Sequence, residues 1–144
     1  YLSNPLYCGA SLVALTKLKN AIFIQADLRD LDLESQFREF GFTPPFDLVI
    51  SDMAPNTTGI RITDQARSFE LCVLAFNLAQ KFLKKNGTFI CKLFHSDEFS
   101  DMRDLIKSEY QDFHAIKPDS TRKISKEIFL IGLKKKNDPN SLSR

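Results

Sequence analysis

Lys92 lies inside the run Phe89-Ile90-Cys91-Lys92-Leu93-Phe94, whose other members are all apolar. A buried ammonium is costly unless a counter-charge stands beside it, so a carboxylate partner is expected. Asp52 is one candidate, following the apolar run Phe46 to Ile50 in Ser51-Asp52-Met53-Ala54-Pro55-Asn56, and Glu127 is another, opening the last apolar run. Such a lysine admits two chemistries. In its neutral form it acts as a general base toward a hydroxyl. In its charged form it stabilises a developing alkoxide, with the carboxylates holding it in place. The carboxylates favour the charged form and burial disfavours it, so the residue types leave both open, beside the simpler reading of a structural ion pair.

In an open parallel sheet, ligands bind beyond the carboxyl ends of the strands. That rule singles out Ser11 and Asp27, each directly after an apolar run, together with Asp52 and Lys92. Asn56, Thr57 and Thr58 precede Gly59 and read either as turn chemistry or as neighbours of a bound substrate. Near the end, Lys117, Arg122, Lys123, Lys126 and Lys134 to Lys136 crowd together after an acidic cluster at Asp97, Glu98, Asp101 and Asp104. Each charge cluster also reads as a solvated face. No CxxC and no ligand-spaced pair of His95 and His114 is present, so no metal site is expected.

The elements that must position these residues follow from periodicity. Leu6 to Ala10 and Ala21 to Gln25 read as strands, and Asp32 to Phe40 as a helix stopped by Gly41 and two prolines. Phe46 to Ile50, interrupted only by Asp47, has the almost continuous apolar character of a central parallel strand covered on both faces. From Asp64 to Lys85, apolar residues recur at Phe69, Cys72, Phe76, Ala79 and Leu83, which predicts a long amphipathic helix. Asp64 is its expected N-cap and Gly87 lies just past its end. Thr88 to Phe94 is a further strand, Phe99 to Tyr110 a helix, and Phe113 to Lys117 and Glu127 to Leu133 two closing strands without a helix between them. Alternation of strand and helix, then strand beside strand, implies an α/β architecture: a mostly parallel sheet finished by an antiparallel hairpin.

At 144 residues the chain suits one domain, expected through Leu133, with residues 134–144 a flexible basic tail. No apolar run approaches the length that crosses a bilayer, and no signal peptide is visible, so no membrane partner is expected. Cys8, Cys72 and Cys91 are odd in number and sit in apolar stretches, which fits reduced thiols in the cytoplasm. The chain opens on Tyr1 and its start is expected upstream.

Three runs carry a family resemblance: Phe23-Ile24-Gln25-Ala26-Asp27-Leu28-Arg29-Asp30, Asp47 to Asn56 ending in Ser-Asp-Met-Ala-Pro-Asn, and Lys117-Pro118-Asp119-Ser120-Thr121-Arg122-Lys123-Ile124-Ser125-Lys126-Glu127-Ile128-Phe129. In order and spacing this chain resembles the FtsJ/RrmJ methyltransferases, most closely those acting on large-subunit ribosomal RNA. The resemblance implies a Rossmann-like fold, S-adenosylmethionine as cofactor, and transfer of its methyl group to a ribose 2′-hydroxyl. It implies catalytic roles for Asp52, Lys92 and Glu127, the last three members of a Lys-Asp-Lys-Glu tetrad. Cofactor contacts would come from Asp27 and Leu28 at the adenine, with Asp52, and from Ser11 at the ribose. RNA contacts would come from Ser120, Arg122, Lys123 and Asn56. A monomer acting on ribosomal RNA within the large subunit is implied, in the cytoplasm of a bacterium or in a mitochondrion. Three features depart from the family pattern. The glycine-rich loop and the first tetrad lysine have no counterpart in these 144 residues, and Ser11 stands where an acidic residue is usual. A fragment of a longer enzyme is the expectation, one that binds the cofactor poorly by itself. The alternatives are a non-catalytic RNA- or ribosome-binding module on the same fold, and a small-molecule methyltransferase, against which the basic loop beside Glu127 argues.

Overall fold

The computed structural model describes residues 2–3, 24–25, 28–29, 32–118 and 127–139. The chain divides into two compact units, Tyr1–Thr43 and Pro44–Arg144, and each stands by itself below.

In the first unit, β1 (Leu2–Ser3) pairs in parallel with β2 (Ile24–Gln25). A short helix, α1 (Leu33–Glu39), follows, and Asp32 caps it by accepting from the Ser35 amide at 3.2 Å. Its one buried residue is Leu33. The expected strand over residues 6–10 lies outside the described residues.

The second unit holds a four-stranded sheet in the order β3-β4-β6-β5, built from β3 (Phe46–Ser51), β4 (Leu83–Phe94), β5 (Tyr110–Ile116) and β6 (Glu127–Lys135). β3 and β4 are parallel, whereas β6 runs antiparallel to both β4 and β5, so the expected closing hairpin is present. Two helices, α2 (Arg61–Phe82) and α3 (Phe99–Glu109), make the crossovers. They pack on the side of the sheet that carries Phe89, Cys91, Leu93, Ile128 and Leu130. Those alternate residues share one face because successive side chains of a strand point to opposite sides. Ala75, Phe76 and Ala79 of α2 and Met102 and Ile106 of α3 fill the core against them, and Tyr110 stacks on Phe89 at 6.1 Å. Cys72 and Cys91 are free, buried thiols within it.

Several boundaries differ from expectation. The long helix starts at Arg61 and ends at Phe82, three residues short of Lys85. Its N-cap is Ile60, which makes no side-chain cap, so Asp64 lies within the first turn instead. The chain then enters β4 directly at Leu83 and turns through Asn86 in the left-handed region at φ 65°. Gly87 is therefore a strand residue rather than a helix terminator. It is needed for close approach: a Cβ there would lie 2.9 Å from the Lys84 carbonyl oxygen. β5 begins at Tyr110, earlier than expected.

β6 continues to Lys135, so Lys134 and Lys135 belong to the sheet and not to a loose tail. The physical reason is helix capping. Lys135 is 2% exposed, and its ammonium donates to the Gln80 and Leu83 carbonyls at 2.7 and 3.0 Å, at the negative end of α2. Burial holds the Lys135 ammonium below the usual lysine pKa. Lys136 does the same for α3, donating to the Lys107 and Ser108 carbonyls at 2.8 and 2.9 Å.

The opposite face of the sheet is less covered. On β3, Leu48 and Ile50 are exposed, where a central strand buried on both sides was the expectation. Among the described residues β3 is the edge of its sheet.

Candidate active site

Three segments far apart in sequence meet at the carboxyl end of β4. β3 and β4 stay in register to the pair Ser51↔Cys91, so the next residues, Asp52 and Lys92, leave the ladder at the same level. Cys91 and Leu93 point into the core, which turns Lys92 to the other face. Across the antiparallel ladder Phe129 pairs with Lys92 and Glu127 with Phe94. Glu127 is thus the diagonal neighbour of Lys92 on the same face, within reach of a long side chain.

The side chains close on one another as this register demands. Lys92 Nζ stands 2.7 Å from Asp52 Oδ1 and 3.8 Å from Glu127 Oε1. The first distance is that of a charge-assisted hydrogen bond and the second that of a looser ion pair. The lysine side chain is only 12% exposed, against 56% for Asp52 and 33% for Glu127. A sheltered ammonium is thus flanked by carboxylates that water can reach. Counted formally, the cluster carries one negative charge in excess. Such a group can hold a hydroxyl oxygen by hydrogen bonding to the ammonium, and it favours a cationic ligand beside the carboxylates.

The loop after Asp52 is tied down by a residue whose part sequence reasoning missed. Asp64 is buried, and its carboxylate accepts from the Thr58 amide at 2.8 Å, the Thr58 hydroxyl at 2.9 Å and the Gly59 amide at 3.3 Å. It therefore reaches back from α2 to brace Thr58 and Gly59, rather than capping the helix from outside. The donated hydrogen bonds, first that of the Thr58 amide, hold its carboxyl below the ordinary value of 3.8. A depressed folded-state pKa contributes stability above the unfolded value, lost as pH falls through the folded one. Asp64→Asn should accordingly unfold more readily than the parent at neutral pH. The gap should narrow once pH drops below about 3.8, which urea midpoints across an acid series would show.

The remaining sequence candidates are distributed as follows. Asn56 is exposed, four residues beyond Asp52 in the same loop. Leu28 is half-buried in a turn of the first unit. Ser11, Asp27, Ser120, Arg122 and Lys123 lie outside the described residues. Among the described residues, no group of three His, Cys, Asp or Glu side chains could hold a metal ion, and no helix is long and apolar enough to cross a membrane.

Comparison with known proteins gives a consistent set of likenesses. The profile of the FtsJ-like methyltransferases matches residues 8–135. The ribosomal RNA large subunit methyltransferase E of Bdellovibrio bacteriovorus is 67% identical over 129 residues, covering 89% of this chain and 66% of that protein. Its counterpart of the same name in Desulfosudis oleivorans is 40% identical over 116 residues, covering 81% and 55%. The chain thus spans less than two thirds of the length of these relatives. In three dimensions it resembles a ribosomal RNA methyltransferase of Plasmodium falciparum with a TM-score of 0.68 over 83% of this chain and 66% of that one, at 22% identity. At that identity the likeness speaks for the fold, a Rossmann-like α/β sheet.

Proposed function

The chain belongs to the FtsJ-like methyltransferase family, and from that premise we propose that the protein moves a methyl group from S-adenosylmethionine to a ribose 2′-hydroxyl of large-subunit ribosomal RNA. The observation that carries the reading is Lys92 held between Asp52 and Glu127 where β3 and β4 end. The name shared by its relatives supports the choice of RNA.

When bound, S-adenosylmethionine supplies an electrophilic methyl group on a positively charged sulfur. The excess negative charge of the cluster and the exposed Asp52 fit such a cation. Asp52 would face it, Asp27 and Leu28 would hold the adenine, and Ser11 would hydrogen bond to the ribose. Asp52, 2.7 Å away, holds the Lys92 side chain by a charge-assisted hydrogen bond. Lys92 then hydrogen bonds to the 2′ oxygen and stabilises the negative charge that develops on it, while fixing its line of approach. Glu127, more loosely paired at 3.8 Å and a third exposed, would accept the hydroxyl proton.

The substrate nucleotide must present its ribose to this cluster, which suits a single-stranded or flipped-out position. Asn56 would stand near it, and Ser120, Arg122 and Lys123 would contact the phosphate backbone. Neutralising Arg122 and Lys123 together should weaken RNA binding and reduce the slope of log affinity against log salt by about 1–2, through counterion release. An unchanged slope would place the loop in solvent. A monomer working in the cytoplasm, on RNA within the large ribosomal subunit, completes the proposal.

The direct test is transfer of labelled methyl groups by the full-length protein to large ribosomal subunits, with mapping of the modified ribose. No transfer to subunits or to naked ribosomal RNA would overturn it.

A further inference from the structure

The ladder between β3 and β4 ends at Ser51↔Cys91, yet β4 runs on through Lys92, Leu93 and Phe94. Side chains of α2 take up the backbone groups of that extension. The Cys72 thiol donates to the Lys92 carbonyl at 3.0 Å, the Phe94 amide donates to the Ser68 hydroxyl at 3.0 Å, and the Gln65 amide nitrogen donates to the His95 carbonyl at 2.9 Å. Residues 65, 68 and 72 follow the i, i+3, i+7 spacing of one helical face. Core spacing asks for apolar side chains there, and Ser68 is only 2% exposed.

Buried backbone groups need partners wherever they are, so satisfaction alone would account for one such bond. Three on consecutive turns, aimed at the stretch that bears Lys92, call for more. The same helix also braces the loop after Asp52 through Asp64. α2 therefore grips the chain on both sides of the 2.7 Å contact between Lys92 and Asp52. We propose that Gln65, Ser68 and Cys72 are positioning residues, which clamp the end of β4 beyond its ladder with β3 so that the Lys92 ammonium meets Asp52 and the reacting hydroxyl at the right distance. The inference rests on the reading of Lys92 as a group that touches substrate.

The test uses the full-length protein and compares kcat with KM. Ser68→Ala, Gln65→Met and Cys72→Ala should each lower kcat about tenfold, because small displacements of a reacting group are costly in rate, while KM for S-adenosylmethionine and for RNA stays within about twofold. Cys72→Ser keeps a donor toward the Lys92 carbonyl and should return kcat to near the parental value. Gln65 is only partly buried, so Gln65→Met guards against a result that reflects unfolding alone. Normal kcat in all three variants, or a loss that merely tracks the folded fraction, would overturn the positioning role. Lys92→Ala, assayed in parallel, separates this from the underlying reading: turnover there would sink the role of Lys92 itself, whatever the clamp variants do.

Discussion

Lys92→Ala in the full-length protein should lower methyl transfer by about 10²–10⁴-fold and leave the fold standing. The activity would fall because the ammonium is the only cation within reach of both carboxylates among the described ion pairs, and nothing else there can stabilise negative charge on the attacking oxygen. The fold should survive because the charges left behind are not stranded. Asp52 is 56% exposed and Glu127 33%, so water can solvate both once the lysine is gone. A deeply buried pair would behave otherwise, since removing one partner there leaves an uncompensated charge at several kcal/mol. Single-turnover transfer and thermal unfolding on the same preparation decide the matter. Near-parental transfer would remove Lys92 from the chemistry, and loss of the cooperative transition would make it a structural ion pair. Lys92→Arg adds a finer reading: it keeps the charge but replaces a compact ammonium with a planar fork, so recovery should be partial at most.

The second large effect concerns stability and lies on the far side of the sheet. Gly132→Ala should destabilise the fold by about 1–3 kcal/mol through overpacking. A Cβ at that position would lie 2.7 Å from Tyr110 Cγ, 2.8 Å from Ile106 Cγ2 and 2.9 Å from Tyr110 Cδ2. Neither neighbour has room to retreat. Tyr110 is 1% exposed and packed against Phe89 and Phe76, and Ile106 is fully buried on the inner face of α3. The methyl group therefore has to push α3 off β6 or force the ring from its rotamer. A fall in Tm of roughly 3–10 °C should follow, with the urea midpoint moving alongside. An unchanged Tm would mean that α3 and β6 are packed less tightly than these distances say.

Much of this protein is legible in its sequence. Local periodicity was sufficient for the long helix, for β3 and β4, for α3 and for the closing hairpin, because each is a continuous segment whose apolar spacing repeats within itself. The carboxylate partners of Lys92 were legible too, since an ammonium in an apolar run demands one and only a few carboxylates follow strands. Ser68 offers a fainter signal, a hydroxyl on the helical face of Cys72 where an apolar side chain is expected.

What the tertiary structure alone decided are features whose partners are distant along the chain. The helix stops at Phe82 because the chain turns through Asn86 and lays Gly87 against β3, which no helix signal near Lys85 announces. Lys135 looks like tail charge in the sequence, yet it is buried because β6 carries it to the carbonyls that end α2, 52 residues away from Leu83. Asp64 fits a capping position by type and instead braces the loop behind Asp52, because where the helix begins depends on where that loop is held. Sequence patterns record which groups must be buried or paired; the pairing of distant groups is settled only when strand register and helix packing bring them to the same place, since hydrogen bonds and ion pairs act over a few ångströms of space and not along the chain.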